Sequence, residues 1–103
     1  MLDFMKKILG AQSTDMSEVM ARGGVIIDVR SKGEYASGHV RGSINIPLDT
    51  LSSQLAKLDK SKPVITCCAS GMRSSSAKGM LQKSGFAEVH NGGAWQNLLK
   101  LEK

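Results

Sequence analysis

Apolar positions recur along this chain in two alternating rhythms. Short β-branched runs, Val25-Ile-Ile-Asp-Val29 and Val64-Ile-Thr-Cys67, have the continuous apolar character of strands buried on both faces of a parallel sheet. Elsewhere the spacing lengthens. Met16, Val19 and Met20, then Leu48, Leu51, Leu55 and Leu58, then Ala77, Met80 and Leu81 each mark one side of a helix. Capping and breaking residues bound these segments. Asp15 ahead of Glu18 caps a first helix that stops at Gly23-Gly24, and Ser31-Lys-Gly-Glu34 has the form of a capping box. That box predicts a short helix from Ser31 to about Ser37, ended by Gly38. Gly42 to Pro47 reads as a brief strand cut off by proline, and the turn around Lys60 to Pro63 closes the leucine helix. After a helix stop near Gly85, Phe86 to His90 is predicted as a last strand, Asn91-Gly-Gly93 as a turn, and Trp95, Leu98 and Leu99 as a closing helix.

Strands alternating with helices through short connections predict an α/β fold with a mostly parallel central sheet and helices on both faces. In such sheets ligands bind beyond the carboxyl ends of the strands, and Asp28-Val-Arg30 and Cys68 both fall there. A chain of 103 residues holds one core and not two. Residues 13–103 are expected to form that single domain. Residues 1–12 are expected to be a helical extension packed on it, since Leu2, Met5 and Leu9 keep helical spacing.

Composition narrows the function. With 41% hydrophobic and 22% charged residues the chain is globular in character. Its net charge of +5 is scattered, and one Trp, one Tyr and two Phe offer no base-stacking platform. This implies a mild preference for anionic ligands and argues against a nucleic-acid partner. Asp3, Lys6 and Lys7 interrupt the opening apolar residues, unlike a signal peptide, and no segment is long enough to span a bilayer. The two cysteines are neighbours, Cys67 and Cys68. Adjacent Cα atoms lie ~3.8 Å apart, short of the ~4.4–6.8 Å that disulfides span. Without bridges or an export signal, the chain reads as cytoplasmic and its cysteines as thiols.

The chemistry concentrates in Cys68-Ala-Ser-Gly-Met-Arg-Ser74, read as strand end, loop and helix start. The loop has no proline, so Ala69, Ser70, Gly71, Met72, Arg73 and Ser74 all keep their amide hydrogens, and Gly71 lets the backbone curl until those amides converge. A cradle of this kind at a helix N-terminus binds anions, and the Cys68 sulfur would sit at its centre. The thiolate is the nucleophile, whereas an ordinary thiol with a pKa of ~8.5 is mostly neutral at pH 7. Lowering that value by about two units takes about 2.7 kcal/mol. A helix terminus supplies ~0.3–1 kcal/mol, rising to ~2 in favourable cases, so the converging amides must contribute as well. Arg73 carries a fork of donors suited to an oxyanion.

Five stretches in order resemble the rhodanese family of sulfurtransferases: Ile27-Asp-Val-Arg30, Glu34-Tyr35, Gly38 to Pro47, Cys68 to Ser74, and Gly92-Gly-Ala-Trp95. The likeness runs from about residue 13 to 100. It implies a thiosulfate sulfurtransferase in which Cys68 takes the outer sulfur of thiosulfate as a persulfide and passes it to cyanide or a thiol. Thioredoxin and dedicated sulfur-carrier proteins are among the acceptors implied. Because the intermediate is covalent, no metal or organic cofactor is expected. Ala69 and Met72 depart from the larger or polar residues common at those positions. Cys67 departs from the aromatic or aliphatic strand residue usual there.

Two other functions compete. Counted from Cys67, the loop reads Cys-x5-Arg73, the spacing of cysteine-dependent phosphatases and arsenate reductases; against it, Thr66 stands where many phosphatases place histidine. A non-catalytic rhodanese-like binding module is the third reading, disfavoured by the presence of the nucleophile. Cys67 is expected to pack in the core rather than to resolve a persulfide. Asp28 and Arg30 are expected to fix neighbouring loops through an ion pair, with His39 and His90 away from the sulfur and Trp95 as a core anchor.

Overall fold

A computed structural model describes residues 15–102. The expected extension over 1–12 therefore lies outside the described residues, as do residues 13, 14 and 103. The order of elements is α1 (Met16–Ala21), β1 (Val25–Asp28), α2 (Lys32–Ser37), β2 (Ile44–Asn45), α3 (Leu51–Gln54), β3 (Val64–Cys68), α4 (Met72–Lys83) and β4 (Val89–Ala94). Short 3-10 turns flank α3 at Leu48–Thr50 and Leu55–Lys57, and a 3-10 helix, Trp95–Leu101, closes the chain. Four strands lie in the order β2-β1-β3-β4, every pair parallel.

Alternation along the strands divides the core between two faces. Ile27 of β1 and Val29 just after it, with Val64 and Cys68 on β3, join Leu51 of α3 and Ala77 and Leu81 of α4. Ile26, Ile65 and Cys67 point the other way, against Val19 of α1 and Leu98 and Leu101 of the closing helix. Helices on both faces of a parallel sheet are thus the observed architecture. The local starts follow the sequence. Asp15 caps α1 by accepting from the Ser17 amide, and Ser31 and Glu34 form both hydrogen bonds of a capping box on α2.

Three elements depart from expectation, each for a local reason. The leucine helix over 48–58 breaks into 3-10, α and 3-10 pieces, because Thr50 Oγ1 bonds Pro47 O at 3.0 Å and Ser53 Oγ bonds Thr50 O at 2.8 Å. These hydroxyls offer the backbone an alternative to continuous helix. The closing helix is 3-10, so residues three apart share a face: Leu98 and Leu101 are buried and Leu99 is exposed. The last strand begins later than expected, at Val89, and runs straight through the expected turn at Asn91-Gly-Gly93. Thr66 pairs with Asn91 and Cys68 with Ala94, so β4 spends three steps where β3 spends two, a β-bulge. Gly92 fits the bulge because a Cβ there would meet Leu98 Cδ1 at 2.8 Å, Ile65 Cγ2 at 2.9 Å and Thr66 O at 2.9 Å.

Candidate active site

Cys68 is the last residue of β3, and Ala69 to Gly71 make the turn into α4. Gly71 caps that helix with φ +103°, a left-handed conformation that glycine adopts without steric penalty. The turn folds back on the sulfur. Gly71 N–H donates to Cys68 Sγ at 2.9 Å, Ser74 N–H donates at 3.4 Å, and the Ser74 hydroxyl lies 3.4 Å away. Burial, the largest influence, pushes the Cys68 pKa up. The Ser74 hydroxyl and the amides of Ser74, Gly71 and Ser70 together outweigh it, and the net displacement is downward. Of the six amides expected to converge, those of Gly71 and Ser74 donate to the sulfur and that of Ser70 adds to the downward shift.

The sulfur has no exposed surface, with Cys68 at 0%. The rim of the turn, Ala69, Ser70 and Met72, is exposed, while Ser74 is buried beneath the sulfur. A cleft of about 340 Å³ opens nearby at the carboxyl ends of β1 and β2, lined by Val29, Ser31, Pro47, Leu48, Asp49 and Arg73. Val29 links the two places: it belongs to the same core cluster as Cys68, and its amide bonds Cys67 O at 2.9 Å.

Cys67 lies on the opposite face, buried among Val19, Ile26, Ile65 and Leu98. Burial, then the nearby Asp28, push its pKa up to about 12. The amides that serve Cys68 do not reach it, so the register counted from Cys67 has no activated nucleophile. The two neighbouring sulfurs point to opposite sides of one strand.

Arg73 forms a bidentate pair with Glu34 at 2.7 and 3.0 Å instead of standing open to an oxyanion. Glu34 thus closes the capping box of α2 and anchors the start of α4 with the same carboxylate. The pairing with Arg73, then the bonds from Ser31, hold Glu34 down at about 2.

Asp28 and Arg30 form a buried ion pair. Asp28 accepts three contacts from the Arg30 side chain at 3.0, 3.0 and 2.7 Å and one from the Arg30 amide at 3.0 Å. The guanidinium also donates to Glu34 O and Gly38 O and lies 4.6 Å from the centre of the Trp95 ring. His39 stacks on Tyr35 at 3.8 Å and His90 bonds Glu88 at 2.6 Å, so both are engaged away from the sulfur. Among the described residues no three or more His, Cys, Asp or Glu gather as a metal site requires, and no helix is long and apolar enough to cross a membrane.

Asn91, assigned to a turn from the sequence, belongs to the site. Its Oδ1 accepts from the Ser74 hydroxyl at 2.7 Å and from Gly93 N–H at 2.9 Å, and its Nδ2 donates to Gly71 O at 3.3 Å. Its place directly before a glycine pair marks a bulge as readily as a turn, and nothing else in the sequence signals it.

The rhodanese-like domain model matches residues 12–96. The chain is 37% identical to the uncharacterized protein YqhL of Bacillus subtilis over 76% of this chain and 65% of that protein. It is 36% identical to the thiosulfate sulfurtransferase PspE of Escherichia coli over 70% of this chain and 71% of that one. The thiosulfate sulfurtransferase GlpE of Stutzerimonas stutzeri is also 36% identical, over 67% of this chain and 63% of the relative. The chain therefore spans about two thirds of the length of these relatives. Among solved structures, a rhodanese with anions from E. coli superposes with a TM-score of 0.68 at 36% identity, covering 72% of this chain and 89% of that one. The human single-domain sulfurtransferase TSTD1 gives 0.72 at 26% identity, covering 85% and 92%. The chain belongs to the rhodanese-like domain family.

Proposed function

We propose that this protein is a sulfurtransferase working through a persulfide on Cys68. The observation that carries the reading is the convergence of Gly71 N–H and Ser74 N–H on one sulfur, at 2.9 and 3.4 Å. Backbone amides aimed at a sulfur stabilise negative charge there without a base or a metal.

The step that follows is a displacement. The Cys68 thiolate attacks the outer sulfur of thiosulfate, the new S–S bond to the enzyme forms, and the old S–S bond breaks with its electron pair leaving on sulfite. Charge balances: one minus and two minus give an anionic persulfide and the sulfite dianion. An acceptor, cyanide or a thiolate, then attacks the outer sulfur and returns the Cys68 thiolate. Ala69 and Ser70 form the exposed rim through which the reactants pass. Arg73, fixed by Glu34, holds the start of α4 and lines the cleft. Asp28 and Arg30 support the loops on either side and take no part in bond making.

Incubation with thiosulfate and cyanide tests this: thiocyanate is produced, and an aryl phosphate offered in parallel is not hydrolysed. Hydrolysis of the phosphate with no thiocyanate would replace the reading with a phosphatase. No turnover together with no sulfur on Cys68 would leave a binding module.

A further inference from the structure

Beneath the sulfur lies a chain of hydrogen bonds that sulfur transfer as written does not use. Cys68 Sγ and Asn91 Oδ1 both meet the Ser74 hydroxyl, at 3.4 and 2.7 Å, yet a serine hydroxyl has a single hydrogen to donate. Two backbone groups fix the orientation of the Asn91 amide. Gly93 N–H requires an acceptor at 2.9 Å and Gly71 C=O requires a donor at 3.3 Å, and only one placement of Oδ1 and Nδ2 satisfies both. The atom turned toward Ser74 is therefore an acceptor. The Ser74 hydrogen must lie on the Asn91 side, and what Ser74 presents to the sulfur is a lone pair, the correct partner for an S–H and the wrong one for a thiolate.

We propose that Asn91 is a positioning residue that keeps the Ser74 hydroxyl turned away from Cys68, holding the sulfur as a thiol at rest. When the thiolate forms, the Ser74 hydrogen swings to sulfur. Asn91 Oδ1 keeps Gly93 N–H and so is not left unpaired, and Nδ2 keeps the Gly71 carbonyl, which holds the turn in place through the change. The Gly71 and Ser74 amides donate in both states. Asn91 thus opposes them, and the reactivity of the sulfur is the balance of the two. This role rests on the reading of Cys68 as the reacting thiolate.

The other charged groups around the sulfur are already committed. Arg73 of α4 is bonded to Glu34, Asp28 at the end of β1 is bonded to Arg30 just after it, and His90 of β4 is bonded to Glu88. Asp49 faces the cleft, and Cys67 stays a thiol below about 12. A substitution at 91 leaves these charges in place but also removes the Nδ2 tie to Gly71 O, so the Ser74→Ala background is what separates the hydroxyl's influence from a shift of the turn.

The test is ultraviolet titration of the thiolate in the full chain for Asn91→Ala, Ser74→Ala, the double variant and Asn91→Asp. Asn91→Ala is expected to lower the Cys68 midpoint by about half to one pH unit, the scale of one net hydrogen bond. In the Ser74→Ala background the same substitution should have no effect, because its influence passes through that hydroxyl. Asn91→Asp keeps an acceptor toward Ser74 and should not lower the midpoint; Asn91→Val replaces Asn91→Ala if the latter fails to fold. An unchanged or raised midpoint in Asn91→Ala, or an equal drop with and without Ser74, overturns the proposal. The titration needs no sulfur donor. A normal Asn91 effect in a protein that never loads sulfur would therefore sustain this role and reject sulfur transfer.

Discussion

Removing the Asp28 carboxylate should be strongly destabilising, because its partner is buried with it. The Arg30 side chain is 5% exposed and that of Asp28 is 0%, so Asp28→Leu leaves a guanidinium in the interior without its counter-ion. Three side-chain contacts at 3.0, 3.0 and 2.7 Å disappear together. The carbonyls of Glu34 and Gly38 and the face of Trp95 remain as neighbours, but none carries a full negative charge. Breaking one partner out of a buried pair costs about 3–5 kcal/mol, a large share of the ~5–15 kcal/mol that holds an ordinary domain. Removing both charges is a different perturbation. The double variant Asp28→Leu with Arg30→Met keeps apolar volume in the site and should recover most of the loss, leaving a deficit of about 1–2 kcal/mol for the loop carbonyls and cation–π contact forgone. Urea unfolding with linear extrapolation measures all three variants. A loss under about 1 kcal/mol for Asp28→Leu, or a double variant as unstable as the sum of its singles, would refute the argument that this pair is a buried, mutually dependent brace.

Other substitutions separate the parts of the site. Gly71→Ala forces a side chain into φ +103°, which should cost about 1–2 kcal/mol in thermal or urea unfolding. By moving the nearest amide it should also raise the Cys68 titration midpoint and slow sulfur uptake. Cys67→Ala should lose about 1 kcal/mol from a small cavity yet still take up one sulfur per chain by mass spectrometry, because its side chain is on the far face. Glu34 and Glu88 are both held below their ordinary 4.5, at about 2, chiefly by Arg73 and Arg22 respectively. Their contribution to stability is complete above about 4.5 and fades as the pH falls toward about 2, so Glu34→Gln and Glu88→Gln should each flatten the loss of stability across that interval in acid unfolding.

Much of this molecule was legible because local chemistry and global packing agree. The β-branched runs at Val25 and Val64 became parallel strands, the Ser31/Glu34 box formed as written, and the left-handed turn fell on Gly71. What the sequence concealed depends on partners distant along the chain. Arg73 looked free to meet an anion because its partner, Glu34, lies 39 residues earlier. Asn91 looked like a turn because only pairing with β3 draws Asn91-Gly-Gly93 into a bulged strand. The break in the leucine helix rests on two hydroxyl-to-carbonyl bonds that apolar periodicity does not register. The burial of Cys68 accompanies its pairing with Ala94 at the end of β3.

The central claim is that the Cys68 sulfur, held by the amides of the turn that follows it, accepts a second sulfur. Intact mass before and after thiosulfate, on the native chain and on Cys68→Ser, tests it most directly. The account predicts a gain of one sulfur atom per chain that a reducing thiol removes, and no gain in Cys68→Ser. A native chain whose mass does not change, or a gain that persists in Cys68→Ser, would contradict it.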